Sequence, residues 1–107
     1  MQKWQIGDVT ITRVIETEDL SMTAAAMLPE ATPANLAPLA WLRPHFVNER
    51  GQLISSVHSL LVESRGQRIV IDTCLGNDKP RIVPQWNQRQ GRFLADLADA
   101  GFPRERV

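Results

Sequence analysis

VHSLLVESRGQRIVIDTCLG, residues 57–76, reads as two strands joined by a tight turn. Leu60, Leu61 and Val62 make the first strand apolar, and Arg65-Gly66 supplies a two-residue hairpin loop with Gly66 free to take a positive φ. On this turn Ser64 pairs with Gln67, and the rest of the register follows. The return strand, Ile69-Val70-Ile71, is apolar at successive positions, as expected of a strand covered on both faces. It ends on Asp72. A carboxylate at the end of a buried strand is costly unless something satisfies it, so Asp72 is the first candidate for a special role.

Outward from the hairpin, the N-terminal segment alternates. Trp4 and Ile6 are followed by the Gly7-Asp8 turn. A second strand rich in β-branched residues then runs to about Ile15, with Val9, Ile11 and Arg13 on one side and Thr10, Thr12 and Val14 on the other. Glu16, Glu18 and Asp19 read as a solvated acidic loop rather than metal ligands. Residues 20–51 form the least regular segment, punctuated by Pro29, Pro33, Pro38 and Pro44, each of which disfavours helix just before it. Short helical turns are expected over 24–28 and 35–41. Met22, Met27, Leu28, Leu36, Leu39, Trp41 and Phe46 are too apolar for free disorder. The segment is read as an ordered arm that packs on something, with Trp41 and Phe46 as candidates to line a substrate pocket. His45, beside Pro44, reads as a surface loop histidine.

After the hairpin, Gly76-Asn77-Asp78-Lys79-Pro80 is a turn cluster. A helix is expected over 87–100, with Asn87 and Gln90 as a capping pair and Phe93, Leu94, Leu97 and Ala98 as its apolar stripe. Gly101 should close it in the left-handed region, and Pro103 prevents continuation.

The hairpin ending Ile-Asp-Thr-Cys-Leu-Gly-Asn-Asp, residues 71–78, resembles the early hairpin of metallo-β-lactamase-fold hydrolases, in their lactonase and organophosphate-hydrolase-like branch. The likeness is collinear over nearly the whole chain, through the opening strand pair, the His58-Ser59-Leu60-Leu61-Val62 strand, Asp72 and the helix from Phe93 to Gly101. It implies an α/β (α+β) fold, the N-terminal half of an αββα sandwich. The expected layout is one partial domain over 1–107: a strand pair at 1–19, an arm at 20–51, the hairpin at 52–74 and the helix at 87–100. In that family the next strand leads into a His-x-His-x-Asp-His metal motif. That motif does not occur in these residues, and the strand carrying it is expected to start near Val107.

Composition sets outer limits. At 107 residues the chain can bury roughly 65% of its unfolded surface, enough for one core at most. With 43% hydrophobic residues it reads as globular. Twelve basic and twelve acidic residues cancel, so nothing advertises nucleic acid or an anionic membrane as partner. One cysteine gives no internal disulfide. The first residues lack the apolar run of a signal peptide, and no stretch approaches the roughly 20 apolar residues of a membrane span. A cytoplasmic protein is expected.

A catalytic zinc needs about three convergent protein ligands and an open position. His45 and His58 are far apart, and no His-x-His, His-Glu-x-x-His or Cys-x-x-Cys is present, so no self-contained metal site is expected. Asp72 matches the family's first acidic position, where the residue orients the metal loop through hydrogen bonds and does not bind metal itself. Without the resemblance, Asp72 reads as the start of an Asx-type turn. By register, His58 and Asp72 fall on opposite faces and cannot form an acid/base couple. Cys74 lacks an orienting partner for nucleophilic use and reads as a small, partly buried residue.

The resemblance therefore implies the N-terminal part of a zinc-dependent hydrolase of lactones, esters or phosphoesters. Two zinc ions and a small-molecule substrate belong to the parent, and the arm 20–51 is a candidate for homo-oligomer contacts. The alternative is a small stand-alone β-rich binding module. A half-fold should show an exposed apolar face or an unpaired strand edge, where a module should be covered.

Overall fold

Strand period explains why one side of the sheet attracts a helix. The computed structural model describes residues 1–19 and 24–107. Strands β1 (Gln2–Ile6), β2 (Val9–Asp19), β3 (Ser55–Ser64) and β4 (Gln67–Ile71) form an antiparallel sheet in the order β1-β2-β3-β4. Gly7, at φ 57, turns β1 into β2, and Trp4 then pairs with Ile11. β2 continues past the expected end at Ile15, so Glu16 is a strand residue and not part of an acidic loop.

The chain divides into two compact units, residues 1–17 with 57–107, and residues 18–56. In the first, alternate residues sort cleanly. Thr12 and Val14 on β2, and Ser59 and Leu61 on β3, are buried. Leu61 has no exposed surface and gathers Val14, Phe93, Leu97 and Phe102 into one core, with Val70, Cys74 and Ala100 packed against it. The other face carries the opposite set. The register pairs Leu60 with Ile71 and Val62 with Ile69, so these share a side. Ile11 and Ile15 fall on that side by alternation from Val14, and Trp4 joins them through its pairing with Ile11. Ile69 is 44% and Ile71 50% exposed, which corrects the reading of that strand as covered on both faces. The strand is apolar on both sides, but among the described residues only one side is covered.

The hairpin register itself is as expected. Ser64 pairs with Gln67 across Arg65 (φ 49) and Gly66 (φ 78), the pair of positive φ angles that a type I′ turn requires.

The helix is shorter than expected. α3 spans Phe93–Asp99, and Arg92 precedes it without a side-chain cap. Asn87 is not its cap: its Oδ1 accepts from the Arg81 N–H at 2.9 Å. Gln90 donates from Nε2 to Asp78 Oδ1. Both residues serve a cross-linked loop instead. The buried stripe is Phe93 and Leu97, while Leu94 is 56% exposed and Ala98 is also exposed. The C-terminus matches expectation. Gly101 at φ 90 donates to Ala98 O, and Phe102 N–H donates to Leu97 O, each at 2.9 Å. This is a Schellman closure, and it brings Phe102 onto Leu97 in the core.

The second unit has a smaller centre. α1 (Ala24–Met27) falls where a helical turn is expected. The next turn lies earlier than expected: α2 spans Pro33–Leu36, where Thr32 Oγ1 accepts from Asn35 N at 3.2 Å and Pro33 occupies the first turn. A 3₁₀ turn follows at Ala40–Leu42. Leu36 and Val47 are buried, with Ala31, Leu42 and Leu53 around them. Asn48 shapes the turn that brings Val47 opposite Leu53, its Oδ1 accepting from the N–H groups of Arg50 (2.9 Å) and Gln52 (3.0 Å). Of the expected packing residues of the arm, Met27, Leu28, Leu39, Trp41 and Phe46 are exposed. Met22 lies outside the described residues.

The two faces of the sheet predict unequal mutational costs. Leu61→Ala should destabilise the chain by about 3 kcal/mol. Ile71→Ala, at a half-exposed site, should cost under about 1 kcal/mol. Urea midpoints at constant m-value would show the contrast, and equal losses would contradict the one-sided core.

Candidate functional site

The residues around Asp72 are held by more than their own strand. The ladder stops at Leu60 and Ile71, and Asp72 leaves it at φ 68. Strand alternation therefore no longer decides where its side chain goes. Ser59, fully buried, donates from Oγ to Ile71 O at 3.1 Å and fixes the point of departure. Asp72 is exposed, so the desolvation cost anticipated for it does not arise. Its Oδ1 accepts from Cys74 N–H at 2.7 Å, the Asx-type turn that the residues suggest on their own.

The following amides meet a second carboxylate. Glu16 Oε2 accepts from Leu75 N–H at 2.8 Å and Glu16 Oε1 from Gly76 N–H at 2.9 Å. Arg81 Nη2 donates to Leu75 O at 2.8 Å. Beyond Gly76 the chain doubles back on itself. Asn77 brackets Gly91, accepting from its N–H at 2.8 Å and donating to its O at 2.9 Å. Asp78 N–H donates to Arg89 O, and Gln88 N–H to Lys79 O. Arg89 Nη2 reaches Glu16 O at 3.5 Å. The loop is thus tied to β2 through both the side chain and the main chain of Glu16. Reading Glu16 as solvated missed this, since its partners lie 59 and 60 residues away and leave no local trace.

A groove of about 510 Å³ opens beside this loop, lined among others by Val70, Thr73, Asn77, Lys79, Phe93 and Leu97. Asp78 also lines it. Asp72 does not line it. Trp41 and Phe46 lie in the second unit, both exposed, with ring centroids 6.3 Å apart in an edge-to-face pair at 65°. His45 is exposed. His58 lies on the opposite side of β3 from buried Ser59 and is half-buried. Among the described residues, no group of three or more His, Cys, Asp or Glu side chains is placed to hold a metal ion.

Cys74 is not activated. Its partial burial, with the Glu16 and then the Asp72 carboxylate adding to the effect, pushes the thiol up to about 11. An unfolded cysteine ionises near about 8.5. Thiolate in the folded chain is then about two-hundredfold scarcer at pH 8, and the greater nucleophilicity of the more basic thiolate returns part of that. Iodoacetamide should modify folded Cys74 about tenfold more slowly than the urea-unfolded chain at pH 8. Because the unfolded state loses its proton first, stability should hold below about pH 8.5 and decline as pH rises through the folded value. Faster alkylation in the folded chain would contradict this electrostatic setting.

No protein-family model and no curated protein matches the chain. Solved structures do. A probable metal-dependent hydrolase from Staphylococcus aureus superposes with a TM-score of 0.66 at 24% identity, covering 97% of this chain and 36% of that one. A hydrolase of the beta lactamase superfamily, AbOPH, superposes with a TM-score of 0.59 at 21% identity, covering 98% of this chain and 32% of its own. No helix among the described residues is long and apolar enough to cross a membrane. The chain shares its fold with part of each of these two structures and spans about a third of their length.

Proposed function

We propose that this chain is the N-terminal scaffold of a metal-dependent hydrolase of metallo-β-lactamase type. In whole form that enzyme would act on a lactone, ester or phosphoester with two zinc ions, in the cytoplasm. The observation that carries the reading is the likeness of fold over 97% of the chain to a probable metal-dependent hydrolase. The described residues do not themselves fit a zinc centre: no suitable cluster exists, and both oxygens of Glu16 are engaged by backbone amides. No step is therefore routed through a metal by these residues. Their part is structural. The sheet and α3 carry Asp72 out at the end of β4, where its carboxylate would hydrogen-bond and orient the metal-bearing loop. The exposed Trp41–Phe46 pair is proposed to line the substrate pocket, and the arm to contribute to contacts between copies. The uncovered apolar face of the sheet weighs against the alternative of a stand-alone module.

The coding sequence past Val107 provides the first test. A His-x-His-x-Asp-His run within the next strand and loop is expected there. The protein containing it should hold divalent metal and hydrolyse a lactone or aryl ester, and Asp72→Asn should lower metal affinity or turnover about 10–100-fold. The 107-residue chain alone should do neither. Stoichiometric zinc and turnover by the 107-residue chain would overturn the scaffold reading.

A further inference from the structure

We infer that Glu16 is a positioning residue for Asp72: by taking the Leu75 and Gly76 amides on its two carboxylate oxygens, it holds the 72–76 loop in the one conformation that turns Asp72 outward. The catalytic consequence of this assignment rests on the hydrolase reading above; the geometric assignment does not.

The backbone of the loop needs such a holder. Asp72, Cys74 and Gly76 have φ of 68, 63 and 75, so left-handed residues alternate with ordinary ones. Only Gly76 occupies that region without steric cost; Asp tolerates it, and Cys gains nothing from it. Strained residues in series persist only where their surroundings over-determine them. Here the surroundings are carboxylates. The successive N–H groups of Cys74, Leu75 and Gly76 point at Asp72 Oδ1, Glu16 Oε2 and Glu16 Oε1 at 2.7, 2.8 and 2.9 Å. A run of amides aimed at one concavity is what backbone anion sites are made of. In this chain the anion is internal. Such charge-assisted bonds are shorter and stronger than neutral ones, which suits a link that must fix a strained loop.

The geometry also separates the two acids by task. Asp72 spends one oxygen on a local turn to Cys74, a bond that travels with the loop. Glu16 reaches the loop from β2, whose neighbour on the same strand, Val14, is buried in the core. Only the second bond ties loop position to sheet position. A glutamate whose oxygens are both committed in this way is unsuited to binding a metal, so its contribution to a parent enzyme would run through Asp72.

Amide proton shifts of the 107-residue chain, followed from pH 3 to 7, test this directly. Leu75 and Gly76 should move together with one carboxylate midpoint. In Glu16→Gln both should lose that titration, while the Cys74 amide keeps following Asp72. Glu16→Gln should also move the pH profile of Cys74 alkylation to lower pH, because a neighbouring negative charge is gone. A glutamate that does not hold these amides would leave their titration unchanged in a folded variant. Leu75 and Gly76 amides that do not titrate in the wild-type chain, or that titrate unchanged in Glu16→Gln, overturn the assignment. Where Glu16→Gln does not fold, Asp72→Asn serves instead: the Leu75 and Gly76 titration should persist in it, and its loss would overturn the assignment. In the longer protein, Glu16→Gln should lower kcat about 10–100-fold, the same range expected for Asp72→Asn. A longer protein that is inactive with Glu16 intact defeats the hydrolase reading, and the amide titration still decides the role of Glu16.

Discussion

Leu61 is the residue on which the arrangement depends. Its side chain has no exposed surface, and the strand period that puts it there also puts Ser59 beneath Ile71 and sends Leu60 and Val62 to the other side. α3 answers only the Leu61 side, through Phe93 and Leu97, and the Schellman closure adds Phe102 to the same pocket of contacts. A sheet that is apolar on both faces and helical on one is half of a layered structure. Such a sheet satisfies the requirement that each apolar face be buried only on the helix side.

That asymmetry gives physical content to the partial likeness with the solved hydrolases. A small closed module spreads its apolar residues so that the ends and edges of its sheet are polar or covered. Here β4 is an edge strand whose outward residues are Ile69 and Ile71, and Trp4, Ile6 and Ile15 are also exposed. The large hydrophobics left exposed on the sheet thus cluster on one face, where singly scattered ones would carry no meaning.

What could be read from residue order alone follows a physical line. The Arg65-Gly66 turn, the pairing of Ser64 with Gln67, and the Gly101 cap are decided by neighbours within a few positions, and each stands in the structure as expected. Residues decided at long range were illegible. Asn87 and Gln90 have the right spacing for a helix cap, but Arg81 and Asp78, folded back beside them, offer the competing bonds that win. Leu94 fits an apolar stripe, yet a helix of seven residues, Phe93–Asp99, is fixed by Phe93 and Leu97, and their direction leaves Leu94 outside. Ile69-Val70-Ile71 correctly signals a strand with two apolar faces. Sequence cannot say whether both are covered within these residues. Asp72 is legible as a strand end, but the burial expected of it does not occur, because the chain leaves the ladder there and the residue is exposed.

Glu16 marks the limit of local reading most sharply, and it also explains how a short strand end can be made rigid. A left-handed aspartate followed two residues later by a left-handed cysteine is a conformation that unfolded chains rarely sample, so the loop will not hold it through local preference. Two carboxylates converging on three consecutive amides supply the bias. They also push the nearby Cys74 thiol toward its neutral form. We infer that the two bonds from Glu16 fix where Asp72 stands. The sheet's buried side supplies the stability, and on this inference Glu16 carries part of it to the loop at the end of β4.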